Sequence, residues 1–200
     1  THWGSGMSIY EGANSNNSLW ITAAPSDEFF NLKLAVDMVA NESDNTKLDI
    51  SMQVWINNEL QGTLAFTGSA GISEKFYISA SEAGPITLRT PVIQETVEPD
   101  EPVDPNLPEA LKDYARVTLE NFGIEASTDE AGTKHIAYDE KAYTGETLHK
   151  TYLDVDVNFN GCADGGRYIQ YLCENDWSQF VRATHWGSGM SIYEGANSNN

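Results

Sequence analysis

Basic residues are scarce in this chain. Eleven Lys and Arg stand against thirty Asp and Glu, a formal net charge of −19 over 200 residues. Phosphate binding needs clustered Lys and Arg, so this balance argues against a nucleic-acid partner. Long apolar runs are absent too, and nothing approaches the length of a membrane-spanning helix. Histidine occurs four times, without the spacing of an H-E-x-x-H metal site, and no G-x-S-x-G nucleophile elbow is present. Neither cysteine has a base partner in sequence, and acids are too abundant for one glycosidase-like pair to stand out. The sequence therefore reads as non-catalytic.

Cysteine is limited to Cys162 and Cys173. An even count in an acidic, repetitive chain suggests one disulfide and an oxidising, extracellular compartment; two buried thiols are the alternative. A simple hairpin of 153–160 with 167–172 would hold the two sulfurs too far apart to bond. A bridge therefore requires that these two strands not be tightly paired neighbours.

What the chain does have is an exact internal repetition. Residues 1–17 read THWGSGMSIYEGANSNN, and residues 184–200 read the same, an offset of 183 residues. Short periods indicate solenoids or propellers, whereas a period of this size indicates whole domains in series. The expectation is a window of about one period from a secreted tandem-repeat protein whose chain continues at both ends.

Proline marks the internal boundary. Five of the seven prolines lie within 91–108, and Pro99, Pro102, Pro105 and Pro108 recur at every third residue. That is the period of polyproline II, and the interleaved Glu98, Asp100, Glu101 and Asp104 favour extension by repulsion. The domain expectation follows: 1–90 as the C-terminal part of one repeat, 91–108 as an acidic linker, and 109–200 as the N-terminal part of the next.

Both flanks read mainly as strands. Leu32, Leu34, Val36 and Met38 alternate with Lys33, Ala35 and Asp37; Leu48, Ile50, Met52 and Val54 alternate with Asp49, Ser51 and Gln53. Leu153, Val155, Val157 and Phe159 alternate with Asp154, Asp156, Asn158 and Asn160. Period 2 is the mark of a half-buried strand. Asn57-Asn58 reads as a hairpin turn. The segment Glu109 to Ala115 reads as one short helix, with Asn106 as its candidate cap. The fold class expected is all-β, a jelly-roll-like sandwich.

Taken in the order 109–183 followed by 1–90, the unit resembles carbohydrate-binding modules of families 6 and 35. The likeness rests on VTLENFG (117–123), GGRYIQYLCENDW (165–177) and KLDISMQVWINNELQGTLAFTGSAG (47–71). It implies a jelly roll in which an aromatic at Tyr171 stacks on a sugar, and in which Glu120 helps hold a structural calcium. Several family positions are lost. Thr67-Gly68 is followed by Ser69 and Ala70 rather than tryptophan, Gly84 by Pro85 rather than asparagine, and Thr118 replaces the first glutamate.

Two further sets of residues are candidates. Asp156, Asn158, Asn160 and Asp164 match the front of an EF-hand-like loop, D-x-N-x-N-G, with Asp154 beside them; Arg167 stands where a bidentate glutamate belongs. The same residues also read as a strand with a polar outer face. Among aromatics, Trp3 (repeated as Trp186), Tyr10 (Tyr193), Trp20, Trp55 and Trp177 are candidate sugar platforms. The Gly, Ser and Asn of the repeated stretch suggest loops that carry Trp and Tyr outward.

The functional expectation is a structural or adhesive repeat of a secreted or surface-attached fibre, with adjacent repeats or other copies as partners. A working module that binds polysaccharide is the alternative. Because the window cuts through a unit, its strands face three arrangements: closure within the chain, pairing with another copy, or a continuous strand-paired filament. The filament is the preferred expectation.

Overall fold

The structure, a computed structural model, describes residues 7–8, 19–21, 24–25, 27–69, 75–80, 86–93, 104–122, 134–136, 140–144, 150–160, 167–172, 180–185 and 190–195. Fourteen strands are found there. They are β1 (Met7–Ser8), β2 (Leu19–Ile21), β3 (Phe30–Ala40), β4 (Lys47–Ile56), β5 (Glu59–Ser69), β6 (Lys75–Ala80) and β7 (Ile86–Arg89). After the proline segment come β8 (Ala115–Val117), β9 (Lys134–Ile136), β10 (Glu140–Thr144), β11 (Lys150–Asn158), β12 (Arg167–Leu172), β13 (Phe180–His185) and β14 (Met190–Gly195). Only two short 3₁₀ turns, Glu109–Leu111 and Leu119–Phe122, interrupt the β-structure among the described residues, so the chain is all-β.

The strands form two sheets. One runs β1-β2-β14-β13-β12-β6-β10, and the other β5-β4-β3-β11-β7-β9, with β8 parallel to β11. Long-range pairing carries both. β11 lies antiparallel to β3 from Lys150↔Asp37 to Val157↔Phe30, and β12 lies antiparallel to β6. Strands of 1–90 and of 109–200 thus share both sheets. Within the single chain the two parts pair with each other, the first of the three arrangements expected. The reason is physical: unpaired ladder groups are costly, and the matching edges are already tethered to one another.

The alternation explains the core. Leu32, Leu34, Val36 and Met38 of β3, Ile50, Met52, Val54 and Ile56 of β4, and Leu153, Val155 and Val157 of β11 bury one face of the second sheet. Phe159 stacks near Phe30 with ring centroids 6.2 Å apart. Each such side chain contributes about 1.5–3 kcal/mol on leaving water. Ile21 of β2 belongs to the same cluster, and Leu19 packs against it, so the first sheet meets the second there.

The β4–β5 turn fits its sequence. Asn57 and Asn58 take φ of 50° and 66°, the left-handed pair that a type I′ hairpin requires and that asparagine tolerates. The strand slips in register between Val54 and Trp55, placing Val54 opposite Gly62 and Trp55 opposite Leu60.

The segment before β8 differs from expectation. The threefold proline rhythm gives way at Asp104–Leu107 to a turn, in which the Leu107 amide donates to the Asp104 carbonyl and the Asn106 amide to Asp104 Oδ1. Asp at the first and Pro at the second position suit such a turn. Asn106 therefore does not cap a helix, and Glu109–Leu111 forms a single 3₁₀ turn headed by Pro108. So short a helix has little stability of its own, and Leu111 is instead pinned by burial while the chain turns into β8.

Candidate functional site

The face of the second sheet opposite the core carries the chain's best-defined polar constellation. Asn31, Lys33 and Ala35 of β3 stand opposite Asp156, Asp154 and Tyr152 of β11. Lys33 and Asp154 are each only 2% exposed. A buried charge must be paired and hydrogen-bonded, and here both are. Lys33 Nζ donates to Asn31 Oδ1 at 2.6 Å and to Asn58 Oδ1 at 2.8 Å, and it lies 3.4 Å from Asp154 Oδ1. Asp154 Oδ2 accepts from Arg116 Nε at 2.7 Å, and Asn31 Nδ2 donates to Asp154 Oδ1 at 2.9 Å. Next along β11, Asp156 Oδ2 accepts from Arg89 Nε at 2.8 Å.

Residues 104–114 cover the middle of this face. Leu107 and Tyr114 pack against the small cluster of Ala35, Trp55, Leu111 and Tyr152, and Asp104 lies 4.0 Å from Lys33. The last residues of the expected linker thus belong to the folded body. Under this cover the Tyr152 hydroxyl is pushed up to about 12, first by burial and then by the Asp154 charge, against the opposing pull of Arg116. Burial also raises Tyr114, helped by Asp37 and Asp113.

Beyond the cover the same face opens into a shallow depression of about 350 Å³ lined by Asp37, Val39, Asp49, Ser51, Ala65 and Thr67. Asn41 Nδ2 donates to Asp49 Oδ1 at 2.8 Å, fixing that carboxylate at the rim.

The structure brings together part of the candidate calcium set. Asp154, Asp156 and Asn158 alternate along β11, with Asn160 just beyond it at φ 51°. Calcium needs six to eight oxygens, but here the carboxylates face Arg116, Arg89, Lys33 and Asn31. Asn158 Oδ1 accepts from the Asn160 amide at 2.7 Å, and Asn158 Nδ2 donates to the Asp27 carbonyl. In this arrangement the described residues form the polar outer face of a strand. Glu120 lies exposed on the second 3₁₀ turn, and among the described residues no group of three or more His, Cys, Asp or Glu could hold a metal ion. Asp164 lies outside the described residues.

Of the candidate sugar platforms, Trp20, Trp55, Tyr171 and Tyr193 are among the described residues, on β2, β4, β12 and β14. Trp55 is covered, 8% exposed, with Nε1 donating to Gln53 Oε1 at 3.2 Å. Tyr171 occupies a position in β12, opposite Val181 and Phe76; Tyr193 lies in β14 opposite Arg182. The repeated stretch, expected as loop, thus supplies a strand. Trp3, Tyr10, Trp177 and Trp186, like Cys162 and Cys173, lie outside the described residues. β11 and β12 lie in different sheets and are not paired with each other.

Sequence reasoning missed Lys33, Asn31, Arg116 and Asp104 as one network. Lys33 sits at an outward position of an alternating strand, and nothing local signals that a segment seventy residues away covers it. The Asn-Asn turn was visible as a turn but not as a ligand for Lys33.

No family model matches the chain, and neither the curated proteins nor the solved structures contain a match.

Proposed function

We propose that the chain is a non-catalytic repeat unit of a secreted or surface-attached fibre or adhesin, a jelly-roll-like module strung in series with identical neighbours. The observation that carries this reading is the seventeen-residue identity of 1–17 and 184–200. Its two strands, β1 and β14, take the same register on β2, Met7 and Met190 both opposite Ile21.

Limited proteolysis of the full-length protein tests the array. Cleavage within 94–103 should give fragments spaced by one repeat, about 183 residues. A single fragment pair, with no ladder, would remove this reading.

A second reading, a working carbohydrate-binding module, is favoured by the depression on the outer face, where carboxylates and hydroxyls of Asp37, Asp49, Ser51 and Thr67 suit sugar hydroxyls. A glycan array with the present chain decides it. Reproducible binding that Asp49→Ala abolishes would support this second reading.

A further inference from the structure

β2 is bordered on both edges by the same amino-acid sequence. On one side β1 places Met7 opposite Ile21 and Ser8 opposite Trp20. On the other β14 places Met190 opposite Ile21, Ser191 opposite Trp20 and Ile192 opposite Leu19. The register is identical although one pairing is local and the other joins distant parts of the chain, Met190 to Ile21. A strand residue directs its N–H and C=O to one edge only, so a residue pair that is hydrogen-bonded on one side of β2 is non-hydrogen-bonded on the other. The two copies therefore meet β2 through opposite halves of their own ladders and still choose one alignment. The shared alignment, Met opposite Ile21 and Ser opposite Trp20, thus belongs to both edges of β2.

The two copies are not held equally. β14 makes three rungs with β2 and six with β13, from Phe180↔Gly195 to His185↔Met190. Among the described residues β1 pairs with β2 through Met7 and Ser8 and ends the sheet, whereas β14 has a strand on either side. The edge of a sheet is where another chain can add or exchange a strand. An incoming copy would restore the pairings of Met7 with Ile21 and Ser8 with Trp20 that β1 gives up.

We infer that the β1 edge of β2 is a docking site for residues 1–17 of a second copy of this chain, which takes the place of β1 in the same register. Exchange of an identical element between copies joins units without any new complementary surface. The inference deepens the fibre reading and rests on it only for its biological setting, since the partner is another copy whether or not the repeats are in tandem.

The test uses a fluorescent peptide of residues 1–17 and the full chain. In the unmodified chain the peptide competes with a tethered identical strand, whose effective concentration is of millimolar order. The double substitution Met7→Pro/Ser8→Pro removes whichever of the two N–H groups faces β2 and frees the edge. Fluorescence anisotropy should show peptide binding at least about tenfold tighter to this variant than to the unmodified chain, with no binding of a peptide carrying the same two prolines. Equal binding to both chains, or equal binding of the proline peptide, overturns the inference. Should circular dichroism show the variant unfolded, sedimentation of the unmodified chain decides. Association that rises with concentration and is suppressed by excess peptide supports the docking site, and a monomer at every concentration overturns it. Loss of the proteolytic ladder with peptide binding intact would instead strike the array alone.

Discussion

Lys33 and Asp154 face each other across β3 and β11, Nζ 3.4 Å from Oδ1, and both are almost wholly out of water. The pair is not symmetric. Asp154 also binds Arg116 Nε and Asn31 Nδ2, so it joins β3, β8 and β11, whereas Lys33 retains Asn31, Asn58 and Asp104 if Asp154 is neutralised. Removing one member of a buried pair costs about 3–5 kcal/mol when it strands the other charge. Asp154→Asn leaves two cations facing each other and should approach that range. Lys33→Met leaves Asp154 with its arginine and should cost about half as much or less. Urea unfolding of the two variants checks the order, and a larger loss in Lys33→Met would contradict the hub role of Asp154.

A second prediction concerns the junction of the sheets. A β-carbon at Gly62 would collide with Cδ1, Cδ2 and Cγ of Leu19. Gly62→Ala should therefore destabilise by about 1–3 kcal/mol, as overpacking does. The same substitution in a Leu19→Ala background should cost much less, because the colliding atoms are gone. A double-mutant cycle measures the coupling; simple additivity would mean that β2 does not pack over β5.

Tyr152 gives the fold an alkaline limit. Its hydroxyl ionises near 12 in the folded chain and near 10 when unfolded. Between those values the unfolded chain has released a proton that the folded chain keeps, so stability falls as pH rises through the window and is fully present below 10. The loss is on the order of 2 kcal/mol across the window. Tyr152→Phe lacks this contribution, so its urea midpoint should fall less between pH 9.5 and 11.5 than that of the unmodified chain (about pH 10 being the ordinary tyrosine value). Parallel curves would place the ionisation elsewhere.

Much of this architecture is written locally. The alternating positions Leu32, Leu34, Val36 and Met38, Ile50, Met52 and Val54, and Leu153, Val155 and Val157 reach the core, with Leu48 partly buried against it. Asn57-Asn58 announces a left-handed turn because few other residues accept it. The partner of each strand is not local: nothing near Leu153 says that β11 lies between β3 and β7, more than sixty residues away. The outer face misleads for a related reason. Alternation says that Lys33, Asp154 and Tyr152 leave the core, and leaving the core is ordinarily read as meeting water. Here Leu107, Leu111 and Tyr114 cover them, so residues with the composition of a calcium loop form an ion-pair network instead. Short helical promise at Glu109 failed likewise, because burial of Leu111 and the start of β8 outweigh the propensity of seven residues.

The hairpin turn supplies the last prediction, since two rules oppose each other at Asn58. Glycine is the favoured second residue of a type I′ turn, and φ of 66° suits it. By turn chemistry alone Asn58→Gly should stabilise the chain by a few tenths of a kcal/mol, about what relief of the left-handed conformation provides. Asn58 Oδ1, however, accepts from Lys33 Nζ at 2.8 Å. Hydrogen bonds to a charged group contribute about 1.5–3 kcal/mol, and Lys33 is too deeply buried for water to replace the acceptor freely. The loss outweighs the gain, so Asn58→Gly should destabilise by about 1–2 kcal/mol. In a Lys33→Met background no ammonium needs the oxygen, and the same substitution should turn neutral or slightly stabilising. Thermal unfolding of the four chains reads the change of sign. If Asn58→Gly stabilises the unmodified protein, the turn is not a ligand of Lys33.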